Sequence, residues 1–70
     1  MENSHIHINI KGRLNSYPDI LSVKQLCEIL DIGKNTAYRL LQRGEIKSIK
    51  IGKVYKIPKK YLKEFLNTHH

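Results

Sequence analysis

Asp31-Ile32-Gly33 falls between two stretches of helical periodicity, and that spacing constrains the fold more than any other feature of the chain. Upstream, Val23, Leu26, Cys27 and Leu30 recur at i, i+3, i+4 and i+7, which predicts one apolar stripe facing inward. Ser22 with Gln25 three residues on reads as a capping box, and Leu21 with Leu26 as the hydrophobic staple beside it. Cys27 is expected in the core, as a small hydrophobe rather than a reactive thiol. Downstream, a second helix is predicted from about Lys34 to Arg43, with Ala37, Leu40 and Leu41 inward and Gly44 as the left-handed residue that ends it. Helix, three-residue turn, helix is the spacing of a helix-turn-helix.

Beyond Gly44 the period changes from helical to alternating. Ile49, Ile51, Tyr55 and Ile57 are separated by Lys50, Gly52-Lys53-Val54 and Lys56, the pattern of a short hairpin. Placing all four apolar side chains on one face requires Ile51 opposite Tyr55 and Ile49 opposite Ile57, hence a three-residue tip with Lys50 directly across from Lys56. Like charges so paired cost about 0.2 to 1 kcal/mol, a local conflict that a bound phosphate would relieve. Pro58 then introduces a last helix, with Tyr61, Leu62, Phe65 and Leu66 inward and Lys59, Lys60 and Lys63 outside. Residues 1–19 read as an amino-terminal arm, in which Ile6, Ile8 and Ile10 alternate with His5, His7 and Asn9 as one strand over 5–10 would. Residues 20–67 form the domain, and 68–70 are expected to fray or to be the stub of a tag.

Charge is distributed as unevenly as the periodicity. The chain of 70 residues carries a formal +7, yet residues 1–33 hold three basic and four acidic side chains, whereas residues 34–63 hold ten basic ones and only Glu45. Solubility asks for interleaved signs, so this half is expected to face a polyanion, with nucleic acid the simplest choice. The same numbers exclude other classes. A chain this short cannot wall off a deep substrate cavity, and no Gly-rich phosphate loop, Ser/His/Asp set or carboxylate pair is present, so no enzyme and no small-molecule substrate are expected. Apolar runs never exceed two residues, against the roughly 20 that span a bilayer, and the amino terminus lacks a secretory pattern; a cytoplasmic protein without membrane contact is expected. One cysteine allows no internal disulfide, and His5-x-His7 lacks further ligands at metal spacing, so neither metal nor cofactor is expected.

On the second helix, the face opposite Ala37 and Leu41 is centred on Asn35, Arg39 and Gln42 and flanked by Lys34, Thr36, Tyr38 and Arg43. Arg can bridge O6 and N7 of guanine, and Asn or Gln can bridge N6 and N7 of adenine, so these side-chain types suit base reading in a major groove. On the hairpin, Lys50, Lys53 and Lys56, with Tyr55 among them, suit phosphates.

The stretch from Leu21 to Leu66 resembles the excisionase-family DNA-binding domain, a MerR-like winged helix-turn-helix. The resemblance is carried by Leu21-Ser22-Val23-Lys24, Asn35-Thr36-Ala37-Tyr38-Arg39-Leu40-Leu41, Gly44-Glu45-Ile46 and Lys50-Ile51-Gly52-Lys53-Val54-Tyr55-Lys56-Ile57-Pro58. It implies an α+β, mostly α fold in which the second helix enters the major groove of double-stranded DNA and the hairpin wing reaches an adjacent groove. Carried over by position, it points to Asn35, Thr36, Tyr38 and Arg39 on the helix and to Lys50, Lys53 and Lys56 on the wing. It also implies DNA bending beside a tyrosine recombinase, with self-association along the DNA, or else a small transcriptional regulator using the same surface. An adaptor for an acidic protein is the reading from a different class. The chain departs from the family pattern at Gly33, where Ser is common, and at Leu26-Cys27, where a small pair is common.

Overall fold

A computed structural model describes residues 13–68. The elements run β1 (Ile20–Leu21), α1 (Val23–Leu30), α2 (Lys34–Gln42), β2 (Ile49–Ile51), β3 (Val54–Pro58) and α3 (Lys59–Thr68). The architecture is the small α+β winged helix-turn-helix expected from the sequence. The alternating segment 5–10 lies outside the described residues.

Local chemistry sets the ends of both helices of the motif. Ser22 Oγ accepts the Gln25 N–H at 3.1 Å while Gln25 Oε1 accepts the Ser22 N–H at 2.9 Å, the complete capping box. Leu21 and Leu26, which staple this entry, are both fully buried. At the other end Asp31 caps α1 in the left-handed region, with φ of 56°. Gly33 then takes the cap of α2 with extended backbone and offers the helix no side-chain acceptor. At the far end Gly44, with φ of 76°, lets Glu45 N–H reach Leu40 O at 3.0 Å and Gly44 N–H reach Leu41 O at 3.1 Å, the paired bonds of a Schellman ending.

The core lies between the helices and one face of an antiparallel sheet ordered β1-β3-β2. Leu26 and Ile29 of α1, Ala37 and Leu41 of α2, Ile57 of β3 and Leu62 of α3 meet there, with Ile46 from the connection and Leu14 from ahead of the sheet. Two details differ from the sequence reading. Ile29 rather than Cys27 shares the centre of the α1 stripe with Leu26; Cys27 is only half-buried beside the core. Leu14 is buried, and Lys59 holds the chain around it: Lys59 Nζ donates to Leu14 O at 2.8 Å and to Tyr17 O at 3.0 Å. Tyr17 in turn donates from its hydroxyl to Glu28 Oε1 at 3.1 Å. Desolvation, followed by that bond and the carboxylate charge, raises the Tyr17 phenol above its ordinary pKa, with Arg13 pulling weakly the other way.

The third strand was not foreseen. Ile20 pairs with Pro58 and Leu21 with Ile57, so the residues before the first cap close one edge of the sheet.

The hairpin register corrects the sequence reading by one residue. Ile49 pairs with Lys56, Lys50 with Tyr55 and Ile51 with Val54, which leaves a two-residue tip of Gly52 and Lys53. Gly52 has φ of 63°, at the position where a type II′ turn takes glycine, and such turns match the twist of the flanking strands. Turn geometry thus overrides the apolar pattern. Side chains of paired residues share a face, so Lys50 lies with Tyr55 and Ile57 on the inner side, while Ile49, Ile51, Val54 and Lys56 lie on the outer one. Lys50 and Lys56 are therefore not a cross-strand pair, and the repulsion expected between them is absent.

Candidate nucleic-acid interface

Burial of Ala37 and Leu41 fixes the roll of α2 and leaves Lys34, Asn35, Thr36, Tyr38, Arg39, Gln42 and Arg43 all exposed. Of these, Arg43 has a charged partner, a 3.7 Å ion pair to Glu45 that is itself open to solvent. Such a pair contributes little and is easily exchanged for another anion.

The wing joins this face through aromatic contact. Tyr38 of α2 and Tyr55 of β3 have ring centroids 5.9 Å apart and planes tilted by 56°. Lys50 Nζ sits 5.2 Å from the centroid of the Tyr55 ring. Tyr55 is half-buried between the two, so Lys50, Tyr55 and Tyr38 run as one line from the wing onto the exposed side of the helix. This line is possible only in the observed register, because it needs Lys50 and Tyr55 on the same face. The tilted Tyr38–Tyr55 pair contributes about 0.5 to 1.5 kcal/mol to packing the wing against α2, and Lys50, itself on the wing, lies over the Tyr55 ring.

Not every lysine of the basic half belongs to this surface. Lys53 stands exposed at the wing tip, and Lys56 is exposed on the outer face of β3, turned away from Tyr55. Lys59, counted from sequence among the outward lysines, is spent on the carbonyls of Leu14 and Tyr17. Lys60 lies over the Tyr61 ring at 5.5 Å, on the third helix. Lys63 lines a shallow hollow with Leu14, Asn15 and Leu66. The arrangement brings together α2 and one side of the wing, while Lys60 and Lys63 of α3 line a hollow with Ile20 and Pro58 at the other end of β3 from the tip.

The sequence reading missed the exposed outer face of the sheet, because it placed Ile49 and Ile51 inward. The signal was available in Gly52-Lys53, whose Gly at the first central position favours a two-residue tip. Among the described residues no group of His, Cys, Asp and Glu is placed to hold a metal ion, and no helix is long and apolar enough to cross a membrane.

Residues 20–70 match the family described as a helix-turn-helix domain. The chain belongs to that helix-turn-helix family. Two relatives from Mycobacterium tuberculosis, in strains CDC 1551 / Oshkosh and ATCC 25618 / H37Rv, are each 26% identical to it over 51 residues and carry the name "Putative DNA-binding protein". The matched part is 73% of this chain, and it spans 65% of the length of either relative. No solved structure gives a significant match. For a helix-turn-helix member, the two ends of α2 and the wing beside it are the parts to be explained in terms of function.

Proposed function

We propose that this helix-turn-helix protein binds double-stranded DNA at specific sites and bends it, acting as an excisionase beside a tyrosine recombinase. The observation that carries DNA binding is the line Lys50–Tyr55–Tyr38, which joins a lysine-bearing wing to the exposed polar side of α2. In this reading α2 lies in a major groove. Arg39, with Asn35 and Gln42 one turn to either side, reads base edges; Lys34, Thr36, Tyr38 and Arg43 border them. The wing follows the adjacent backbone with Lys50 and Lys53 on phosphates and Tyr55 as their support, while Lys56 meets the backbone from the outer face. The names of the two mycobacterial relatives accord with DNA binding. The excisionase role, the recombinase partner and self-association along DNA rest on the resemblance of the motifs quoted above.

Selection of bound duplexes from a random library, followed by titration of the winner against its scrambled counterpart, tests the reading. The selected duplex should bind more tightly, with log K falling against log salt by about 0.9 for each phosphate contacted. Arg39→Ala should cost about 1 to 3 kcal/mol and relax preference for the selected sequence, whereas Lys53→Ala should weaken all duplexes alike and lower the salt slope by about one. Equal, weak affinity for every polyanion would instead indicate an adaptor for acidic proteins. Excision lost on deletion of the gene, with a footprint across an attachment site, would support the recombination role; a promoter footprint with excision intact would assign a transcriptional one.

A further inference from the structure

The outer face of the wing is unexplained by either the core or the recognition surface. Ile49, Ile51 and Val54 are 51%, 63% and 53% exposed, whereas most other large aliphatic side chains among the described residues are buried or packed against the core. Ile51 and Val54 are paired directly across the hairpin, immediately behind the Gly52-Lys53 turn, so they form the flanks of its tip. Apolar side chains at an exposed tip gain nothing from burial in the free protein, and a different register would have turned Ile49 and Ile51 inward. What covers this tip has to accept apolar side chains and also a dense positive charge. Lys53 in the turn and Lys56 on the same outer face stand beside it, both exposed, Lys50 projects from the opposite face of the ribbon, and no acidic residue lies between Glu45 and Glu64. A second copy of the chain is disfavoured on that ground, because two such tips would bring their lysines together. A DNA minor groove meets both requirements, with sugar and base edges between two rails of phosphate. Its width of about 6 Å only just exceeds the roughly 4.8 Å between paired strands, so a ribbon carrying Ile and Val at its tip enters only by opening it.

Resting on the DNA-binding reading above, we infer that Ile51 and Val54 form an apolar wedge that the wing inserts into the minor groove, partly unstacking one base step and bending the duplex. Lys53 holds the phosphate at the point of entry. Pyrimidine–purine steps such as TA and CA unstack most easily, so the wedge adds a preference for one of them at the centre of the wing's contact, without a hydrogen bond to any base.

The test uses the full chain and the duplex selected from a random library, labelled at its two ends for energy transfer and carrying 2-aminopurine at each adenine position in turn. The native chain should raise end-to-end transfer, and should raise 2-aminopurine fluorescence by about threefold or more at one step only, as partial unstacking does. The double variant Ile51→Thr/Val54→Thr keeps β-branched strand formers and removes apolar surface. It should lose both signals while binding within about tenfold of the native affinity, since phosphate contacts supply most of the binding. Ile20→Thr alters a side chain 48% exposed on the same sheet face but paired with Pro58, at the far end of β3 from the tip, and should leave both signals intact. Native protein that bends the duplex with no 2-aminopurine change, or a double variant that bends it equally, overturns the wedge while DNA binding stands. A double variant that changes melting temperature or oligomeric state with bending unaltered also overturns it, and assigns the face to the chain's own amino-terminal segment or to a second copy. Native protein that does not distinguish the selected duplex from its scramble removes the DNA-binding reading itself.

Discussion

At the scale of single residues, charge alone is a poor guide to role. Lys59 and Lys53 are equivalent in composition, yet one ammonium donates to two backbone carbonyls and the other stands at an exposed turn. Lys59→Met keeps the stem and removes the donors, leaving the Leu14 and Tyr17 carbonyls without their charged partner. It should cost about 1 to 3 kcal/mol in urea denaturation. DNA affinity should change by less than about twofold, because that charge is not presented to a duplex. Loss of affinity without loss of stability would place Lys59 on the binding surface instead. Asp31 offers the opposite case. It occupies a left-handed conformation at the carboxyl end of α1, where both its β-carbon and its negative charge are unfavourable. Asp31→Gly should therefore raise the urea midpoint, with a gain of about 0.5 to 1 kcal/mol after the added freedom of the unfolded chain is allowed for. A lower midpoint would show that the carboxylate makes a compensating contact.

At the scale of elements, α2 is less stable at its start than its neighbour. α1 has a full capping box, whereas α2 begins at Gly33 with no side-chain acceptor and with Lys34 opposing the helix dipole. Both features suit an end that meets phosphates. Gly33→Asp fits the extended backbone, and its β-carbon would meet no neighbouring atom within 4 Å. It should stabilise the fold by about 0.5 kcal/mol through capping and the dipole. The same carboxylate should weaken DNA binding about tenfold at low salt and less at high salt, because the repulsion is screened. Higher stability with unchanged affinity would mean that the start of α2 faces away from the duplex. The elements also explain what could be read without coordinates. Both helices of the motif, their three-residue break, the capping box and the Gly44 ending were legible because each depends on residues within one turn of one another. The hairpin was legible as an element but not in register, because two local signals conflict there: the Ile49, Ile51, Tyr55, Ile57 alternation and the Gly52-Lys53 turn. β1 was invisible because two residues carry no periodicity and pair with residues 36 and 38 positions away. On the candidate surface, the exposed side of α2 followed from helical phase alone, whereas the Tyr38–Tyr55 contact that ties the wing to it depends on tertiary packing.

At the scale of the whole molecule, the basic half divides into two parts. One comprises α2 and the wing, joined through Tyr38 and Tyr55 with Lys50 over the Tyr55 ring; the other is α3, where Lys59 is used internally and Lys60 and Lys63 line a hollow with Ile20 and Pro58. Long-range attraction would draw both toward a polyanion, but only the first combines cations with the Asn, Arg and Gln side chains proposed to read bases and with an aromatic contact between helix and wing. The most direct measurement of this division is a chemical-shift titration of the ¹⁵N-labelled chain with the selected duplex, followed at two salt concentrations. The largest perturbations should fall on Lys34–Arg43 and on Lys50–Lys56, saturate together, and persist at the higher salt, while the amides of Lys60 and Lys63 move little. Perturbations centred on α3, or spread evenly over every lysine and abolished by salt, would contradict a joint surface of helix and wing.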